Sequence, residues 1–272
     1  MLPRTVVRSA VLALLAGFCA TPLEASQAGS DVIHVKYDVS LIGLPIGAAK
    51  LVGEVSPTAY NIEASATLSG LAAVISSSRG AANASGAIVS GHVSPAAYAT
   101  TAANSQMTRT VRMALAGNAV TGLDISPPIE ERPDRVPLRD QDKRGVLDPV
   151  SAIVISAPGA GPLTGPAACE RVIPVFDGAT RFDVKLSYTG QRNVKATGYS
   201  GPVAVCAARY VPIAGHRPNR PATKFMVDNK QMEVWLAPVG SERVLMPFRV
   251  SVRTMLGSVV IEASEFIVEA KN

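Results

Sequence analysis

Four stretches of this chain alternate apolar and polar side chains with a period of two, and that pattern restricts the fold more than any other feature of the sequence. In the first, Ile33, Val35, Tyr37, Val39 and Leu41 fall on one face, with His34, Lys36, Asp38 and Ser40 on the other. Tyr60, Ile62, Ala64, Ala66 and Leu68 alternate with Asn61, Glu63, Ser65 and Thr67. Phe182, Val184, Leu186 and Tyr188 oppose Arg181, Asp183, Lys185 and Ser187. Val244, Met246, Phe248, Val250 and Val252 oppose Arg243, Arg249, Ser251 and Arg253. Neighbouring side chains of a strand point to opposite faces, so each run is a strand with one dry face and one wet face, the pattern of antiparallel sheet. Turn residues separate the runs at Gly43-Leu-Pro, Ser56-Pro, Ser94-Pro, Gly117-Asn, Thr189-Gly and Gly201-Pro. The segment from Val55 to Tyr60 is echoed from Val93 to Tyr98, and both read as strand, proline turn, strand.

Two short helices are predicted among the strands. Residues Ser69 to Ser78 are small and apolar without alternation, and Arg79-Gly80 ends them. The second begins at Leu147-Asp148-Pro149, with Asp148 as N-cap and Pro149 at the first helical position, where its missing N–H is no loss. Ile153 to Ile155 reads equally well as strand. Pro127 to Gly145, dense in proline and mixed charge, reads as a solvated loop or a partner-docking segment. Long strands with one dry face need cover, and few helices are available to give it. The expected fold is therefore mainly β: a strongly curved antiparallel sheet or open barrel with one or two short helices on its concave side. Leu41, Tyr60, Ile62, Phe182, Leu186 and Phe248 are the candidate lining of that concavity. Trp235 shares its parity with Gln231 and Glu233, opposite Met232, Val234 and Leu236, and is expected at a rim or outside.

The chain opens with the tripartite pattern of a secretory leader. Arg4 and Arg8 are followed by an apolar run from Ala10 to Ala20 and the small residues Ala25-Ser26-Gln27-Ala28. The run is too short for a bilayer, which needs roughly 20 residues. Cleavage fits best after Ala28 and next best after Ala25. Cys19 follows the bulky Phe18, so it lacks the small preceding residue of a lipoprotein signal and belongs to the leader. Residues 29–272 are then expected to form a single β-rich domain of the periplasm. No later stretch reaches transmembrane length, so the processed chain is not expected to span a membrane. Its net charge of +5, or +4 without Arg4, Arg8 and Glu24, is too weak and dispersed to argue for nucleic acid.

Removal of the leader leaves Cys169 and Cys206. An even count in an oxidising compartment points to a bridge, with two buried thiols as the alternative. Closing such a loop is worth roughly 4 kcal/mol in the chain-entropy account.

Several segments resemble a known family. These are Tyr37 to Gly47, the Leu147-Asp148-Pro149 start, Cys169 to Gly178, Arg181 to Leu186, Tyr199 to Cys206 and Arg209 to Gly215. Together they resemble the exported bacterial proteins grouped as domain of unknown function 3108, over nearly the whole processed chain. The pattern departs at Ala179-Thr180, where a more basic turn is expected. The resemblance implies an envelope compartment, a curved β architecture and the Cys169–Cys206 pairing; it implies no activity.

The residues carry no recognisable catalytic, metal or nucleotide motif. Gly198-Tyr-Ser-Gly-Pro is one residue short of a nucleophile elbow. His34, His92 and His216 stand singly, without paired metal-ligand spacing. His216, Arg217, Arg220 and Lys224 concentrate positive charge in one segment, a candidate contact for an anion or a partner, or else a solvated turn stiffened by proline. Phe176-Asp177-Gly178 reads as a turn aligning two strands. The functional expectation is a non-catalytic envelope protein without a cofactor, whose partner is a lipid or other amphipathic ligand, or another envelope protein. The alternatives are a structural module with a filled interior, and a hydrolase with an unrecognised site. Protein recovered from the periplasm should give an intact mass that starts at Gly29, or at Ser26; a product retaining Met1 would overturn the leader.

Overall fold

A computed structural model describes residues 29–68, 78–157, 159–240 and 243–271, and antiparallel pairing organises most of them. The first strands are β1 (Ser30–Leu41), β2 (Leu44–Val55), β3 (Ala59–Leu68), β4 (Arg79–Val89), β5 (His92–Ala103), β6 (Thr108–Ala116) and β7 (Ala119–Ser126). A two-residue β8 (Ile155–Ser156) precedes β9 (Arg171–Phe176), β10 (Arg181–Ala196), β11 (Tyr199–Ala214), β12 (Met232–Val239), β13 (Val244–Thr254) and β14 (Gly257–Lys271). In space the order is β7-β6-β5-β4-β3-β2-β1-β14-β13-β12-β11-β10-β9, with β8 added beside β13. The first and last strands are neighbours, Ser30 opposite Lys271. The sheet is not closed: its ends, β7 and β9, do not pair with each other.

Turn chemistry accounts for much of this meander. Ile42-Gly43, Ser90-Gly91 and Gly117-Asn118 all have positive φ at both positions, which matches the two-residue turn that the twist of a hairpin favours. Three predicted turns are instead inside strands. Ser94-Pro95 lies within β5, at a bulge opposite Gly86, where a missing N–H does not break the ladder. Its resemblance to the real turn at Ser56-Pro57 therefore has no common geometry, although Tyr60 and Tyr98 are both buried. Gly190 marks a bulge within β10, and Gly201-Pro202 lies within β11. The chain reverses between them, at Thr197-Gly198. Gly198 has φ +85°, and a Cβ there would stand 2.8 Å from the Phe266 carbonyl oxygen.

The gap between β7 and β9 is spanned by the chain itself. Arg144 pairs with Ala119 at one edge, and the Val146 N–H donates to the Asn118 carbonyl. On the other edge Leu147 pairs with Val175, exchanging hydrogen bonds with Pro174 and Phe176. The turn after β9 presses on β6 and β7, so that a Cβ on Gly178 would meet Val111 at 2.7 Å. Asp177 fixes that turn by accepting from the Ala179 and Thr180 N–H groups, which agrees with its reading as an aligning turn. Pro127 to Gly145 is largely exposed, yet it is tied down: Val136 exchanges backbone hydrogen bonds with Gly215 and His216.

The predicted helices take other forms. The first, Ser69 to Ser78, lies outside the described residues except for Ser78. At the second, Asp148 does cap, accepting from the Val150 and Ser151 N–H groups at 3.0 and 2.9 Å. The capped segment is a single turn of 3₁₀ helix, Ser151–Ile153, and it leads into β8, so both readings of that stretch hold in part. Among the described residues the one α-helix is α1 (Pro221–Asp228), with Pro221 in its first turn, where the sequence suggests only a charged, proline-stiffened turn. No helix among the described residues is long and apolar enough to cross a membrane.

Asp148 and Ser151 are fully buried inside the molecule. Ser151 bridges them to β3, its hydroxyl 2.7 Å from the Tyr60 hydroxyl while it also bonds Asp148. Burial raises the Asp148 carboxyl above its ordinary range, against hydrogen bonds that lower it. A carboxyl raised by folding contributes least once it is ionised, so its share of stability is lost as pH rises through the raised value and is full below the ordinary aspartate range. Wild type should therefore gain on Asp148→Asn as the pH is lowered across that window. Asp148→Ala, which orphans two buried N–H groups, should cost about 2–4 kcal/mol at neutral pH. Urea unfolding across pH reads both effects, and a flat difference between wild type and Asp148→Asn would show that the carboxyl is solvated.

Candidate functional site

Two apolar clusters divide the molecule. The larger joins inward residues of β1 to β6, such as Ile33, Tyr60, Ile62 and Met113, to one face of β11 to β14, including Val203, Met246, Phe248 and Phe266. It is a filled interior; Tyr199, Phe248 and Phe266 meet there with ring centres 5.4–6.0 Å apart. The smaller lies on the other face of β9 to β13 and includes Ile173, Val175, Leu186, Ala208, Leu236 and Leu245. The start of β13 is thus covered on both faces: Val244 and Met246 point into one cluster and Leu245 into the other.

The smaller cluster is enclosed by a ring of strands. Hydrogen bonding runs from β9 through β10, β11, β12 and β13 to β8, and Leu147 returns to β9. Inside this curl is a cavity of about 270 Å³. Phe182, Val184 and Leu186 line it from β10, Met232, Val234 and Leu236 from β12, and Val250 and Val252 from β13. Ile153 and Ile155 form a further wall. Glu233 and Ser251 are the polar residues of the lining. Leu186, Ala208, Leu236 and Ile155 at the deep end are buried, whereas Phe182, Met232 and Val252 are half-exposed and form the mouth. The Phe182 ring rests against Tyr210, centres 5.3 Å apart. Beyond the deep end Cys169 and Cys206 are joined in a disulfide, both fully buried, with Cα atoms 5.4 Å apart. That separation is ordinary for the bond.

The six candidate lining residues do not share one concavity. Phe182 and Leu186 line the cavity; Tyr60, Ile62 and Phe248 are packed into the larger cluster on the opposite face; Leu41 is half-buried at the end of β1. Trp235 is not at a rim: it is 9% exposed and belongs to the larger cluster. It does lie on the face opposite Met232, Val234 and Leu236, as its parity implies, but that face is covered as well. The guanidinium groups of Arg249 and Arg192 stand 4.7 and 5.3 Å from its ring, and its Nε1 donates to Glu233 at 2.6 Å. The remaining lining is legible in the alternation of Met232, Val234 and Leu236; reading each strand as having one dry face conceals it.

The positive segment is divided. Arg217 Nε donates to Asp134 at 2.7 Å, and that bond holds the Asp134 carboxyl below its usual range. Burial pushes His216 down, and its carbonyl accepts from Val136. Arg220 and Lys224 are exposed at the start of α1. His34, His92 and His216 lie on β1, at the start of β5 and after β11, apart from one another.

An open antiparallel β-sheet wrapped on a second, smaller curl with an apolar pocket is the class of protein that these features define. Residues 36–264 match the family model described as "Protein of unknown function (DUF3108)", and the chain belongs to that family. No curated protein sequence matches it. Among solved structures it is similar to a beta-barrel-like protein of domain of unknown function DUF1849 from Brucella abortus, at 9% identity and a TM-score of 0.49. The match covers 90% of this chain and 98% of the other.

The two phenylalanines separate the cavity from the packed interior. Phe248→Ala should cost about 3–5 kcal/mol, as for an enclosed ring, and Phe182→Ala about 1–3 kcal/mol because its ring is half-exposed at a mouth. Urea unfolding of both variants tests this; equal costs would mean that the Phe182 side of the curl is closed.

Proposed function

We propose that this is a non-catalytic protein of the bacterial periplasm that holds an apolar or amphipathic ligand in the C-terminal curl. One observation carries the reading: a cavity of about 270 Å³ whose walls are almost wholly aliphatic and which narrows from a half-exposed mouth to a buried end. Small-molecule pockets are mostly apolar clefts of about 300–1,000 Å³, so this one suits a single slender chain better than a bulky ring system. An apolar body would lie against Val184, Leu186, Val234 and Val250, and a polar end would remain in solvent at the mouth beside Phe182, Met232 and Val252. The leader pattern supports the compartment, and a buried disulfide suits an oxidising one.

A second reading, a scaffold without a ligand, is favoured by the larger interior, which aromatic and aliphatic side chains fill.

Native mass spectrometry of protein isolated without denaturation should reveal one bound amphipathic species per chain. Val184→Trp should remove it by filling the curl while leaving the melting temperature within a few degrees. A ligand-free mass, together with no binding of a fluorescent fatty-acid probe, would favour the scaffold.

A further inference from the structure

Two hairpin tips lie side by side at the mouth end of the molecule. The turn between β1 and β2 and the turn between β13 and β14 are joined where the Ile42 N–H donates to the Ser258 carbonyl. A Cβ on Gly257 would touch Ile42, so the two turns are in van der Waals contact. Together they expose four large aliphatic side chains: Ile42 at 67%, Leu44 at 59%, Met255 at 59% and Leu256 at 78%. Neither Leu41 to Gly47 nor Thr254 to Ile261 contains a charged residue. Scattered exposed leucines are ordinary on a soluble protein, but four on two touching protrusions form a patch.

The surroundings are basic. Arg253 is exposed immediately before the second turn, and its N–H donates to the Gln231 carbonyl, next to the exposed Lys230. Asn229 donates to the Arg253 carbonyl at 2.8 Å and ties α1, with Arg220 and Lys224, to the same end. Asp38, Glu262 opposite it and Asp228 are acidic residues on the flanks of the patch, and Glu262 is paired with Arg249 at 3.3 Å. Met232 and Val252 at the cavity mouth pair with each other across β12 and β13. Val252 precedes Met255 by three residues, which is about 10 Å along a strand.

We propose that these tips are a docking surface for an anionic lipid bilayer. Aliphatic side chains on a convex tip enter the boundary between headgroup and acyl chain, while flanking Arg and Lys side chains meet the phosphates. A protein partner would be expected to meet a flatter or grooved surface. Docked in this way, the molecule presents the cavity mouth toward the bilayer, but the surface depends on the tips and not on what the cavity holds.

The test uses the full chain carrying Leu256→Trp, or Val89→Trp as the control. Val89 is 58% exposed at the β4–β5 turn, at the opposite end of the strands. Vesicles of phosphatidylcholine and phosphatidylglycerol with brominated acyl chains quench a tryptophan that reaches the acyl region. Over the constant emission of the buried Trp235, the expected result is a vesicle-induced blue shift and bromine quenching for Leu256→Trp and no such change for Val89→Trp. In the otherwise unaltered chain, Met255→Ser with Leu256→Ser should weaken vesicle binding about tenfold, from the lost aliphatic burial. Equal quenching at both positions, or none at Leu256→Trp, would overturn the docking surface. So would a concentration-dependent blue shift without vesicles, which would make the tips a contact between two copies. Fatty-acid probe binding that persists in the Ser variant leaves the cavity reading intact whichever way the vesicle experiment falls.

Discussion

A sheet that curls without closing leaves two rows of backbone groups unpaired, and here one internal segment meets each of them at a single bridge. The stretch from Arg144 to Ser156 bonds β7 on one side, β9 on the other and β13 at its end. It must therefore enter the molecule, and its own polar groups go with it. Asp148 is buried because a segment that dives inward needs its N–H groups satisfied locally, and a carboxylate next to a proline does this within three residues. The Ser151–Tyr60 contact then anchors the segment to β3, on the far wall. Both the filled interior and the smaller curl depend on this one passage, since its side chains alternate between the two: Val146, Val150 and Val154 to the larger cluster, Ile155 and Ala157 to the smaller.

Division of the core explains why a chain poor in aromatic residues needs no large helix to cover its sheet. The β10–β13 ribbon covers the concave face of the N-terminal strands with its own outer surface and keeps its inner surface for the cavity. Burial on both faces of β13 uses the unbroken run Val244-Leu-Met-Pro-Phe248, in which polar residues would have been costly.

Much of the architecture is legible in the sequence because period-two alternation is a local property. Ile33 to Leu41 and Tyr60 to Leu68 read directly as β1 and β3, and a turn pair such as Gly117-Asn118 marks a hairpin, that of β6 and β7. The two cysteines are legible as a pair too, since few partners remain for either. The features that sequence alone does not resolve depend on tertiary cover. Trp235 has a polar-side parity but lies under two arginines, and Phe182 and Phe248 share a dry parity but face different clusters. Pro95 and Pro202 read as turns because proline interrupts a ladder, but a bulge or an early strand position accommodates it equally well. The cavity is visible as alternation in β10 and β12 but not as an enclosure, because the ring that makes it closes only through Leu147, far away in sequence.

The pairing of Ser30 with Lys271 governs the order in which this fold can be assembled. β1 has β2, the next strand in the chain, as one neighbour, but its other neighbour, β14, follows every other described strand in sequence. Until that segment is available, one side of β1 remains an open template for pairing, next to a row of aliphatic side chains. Contacts that link the two ends of a chain are slow to form and leave partly assembled species prone to aggregation. For this protein the final seam is therefore in the middle of the sheet, not at its edge, and its formation completes the larger core in the same step.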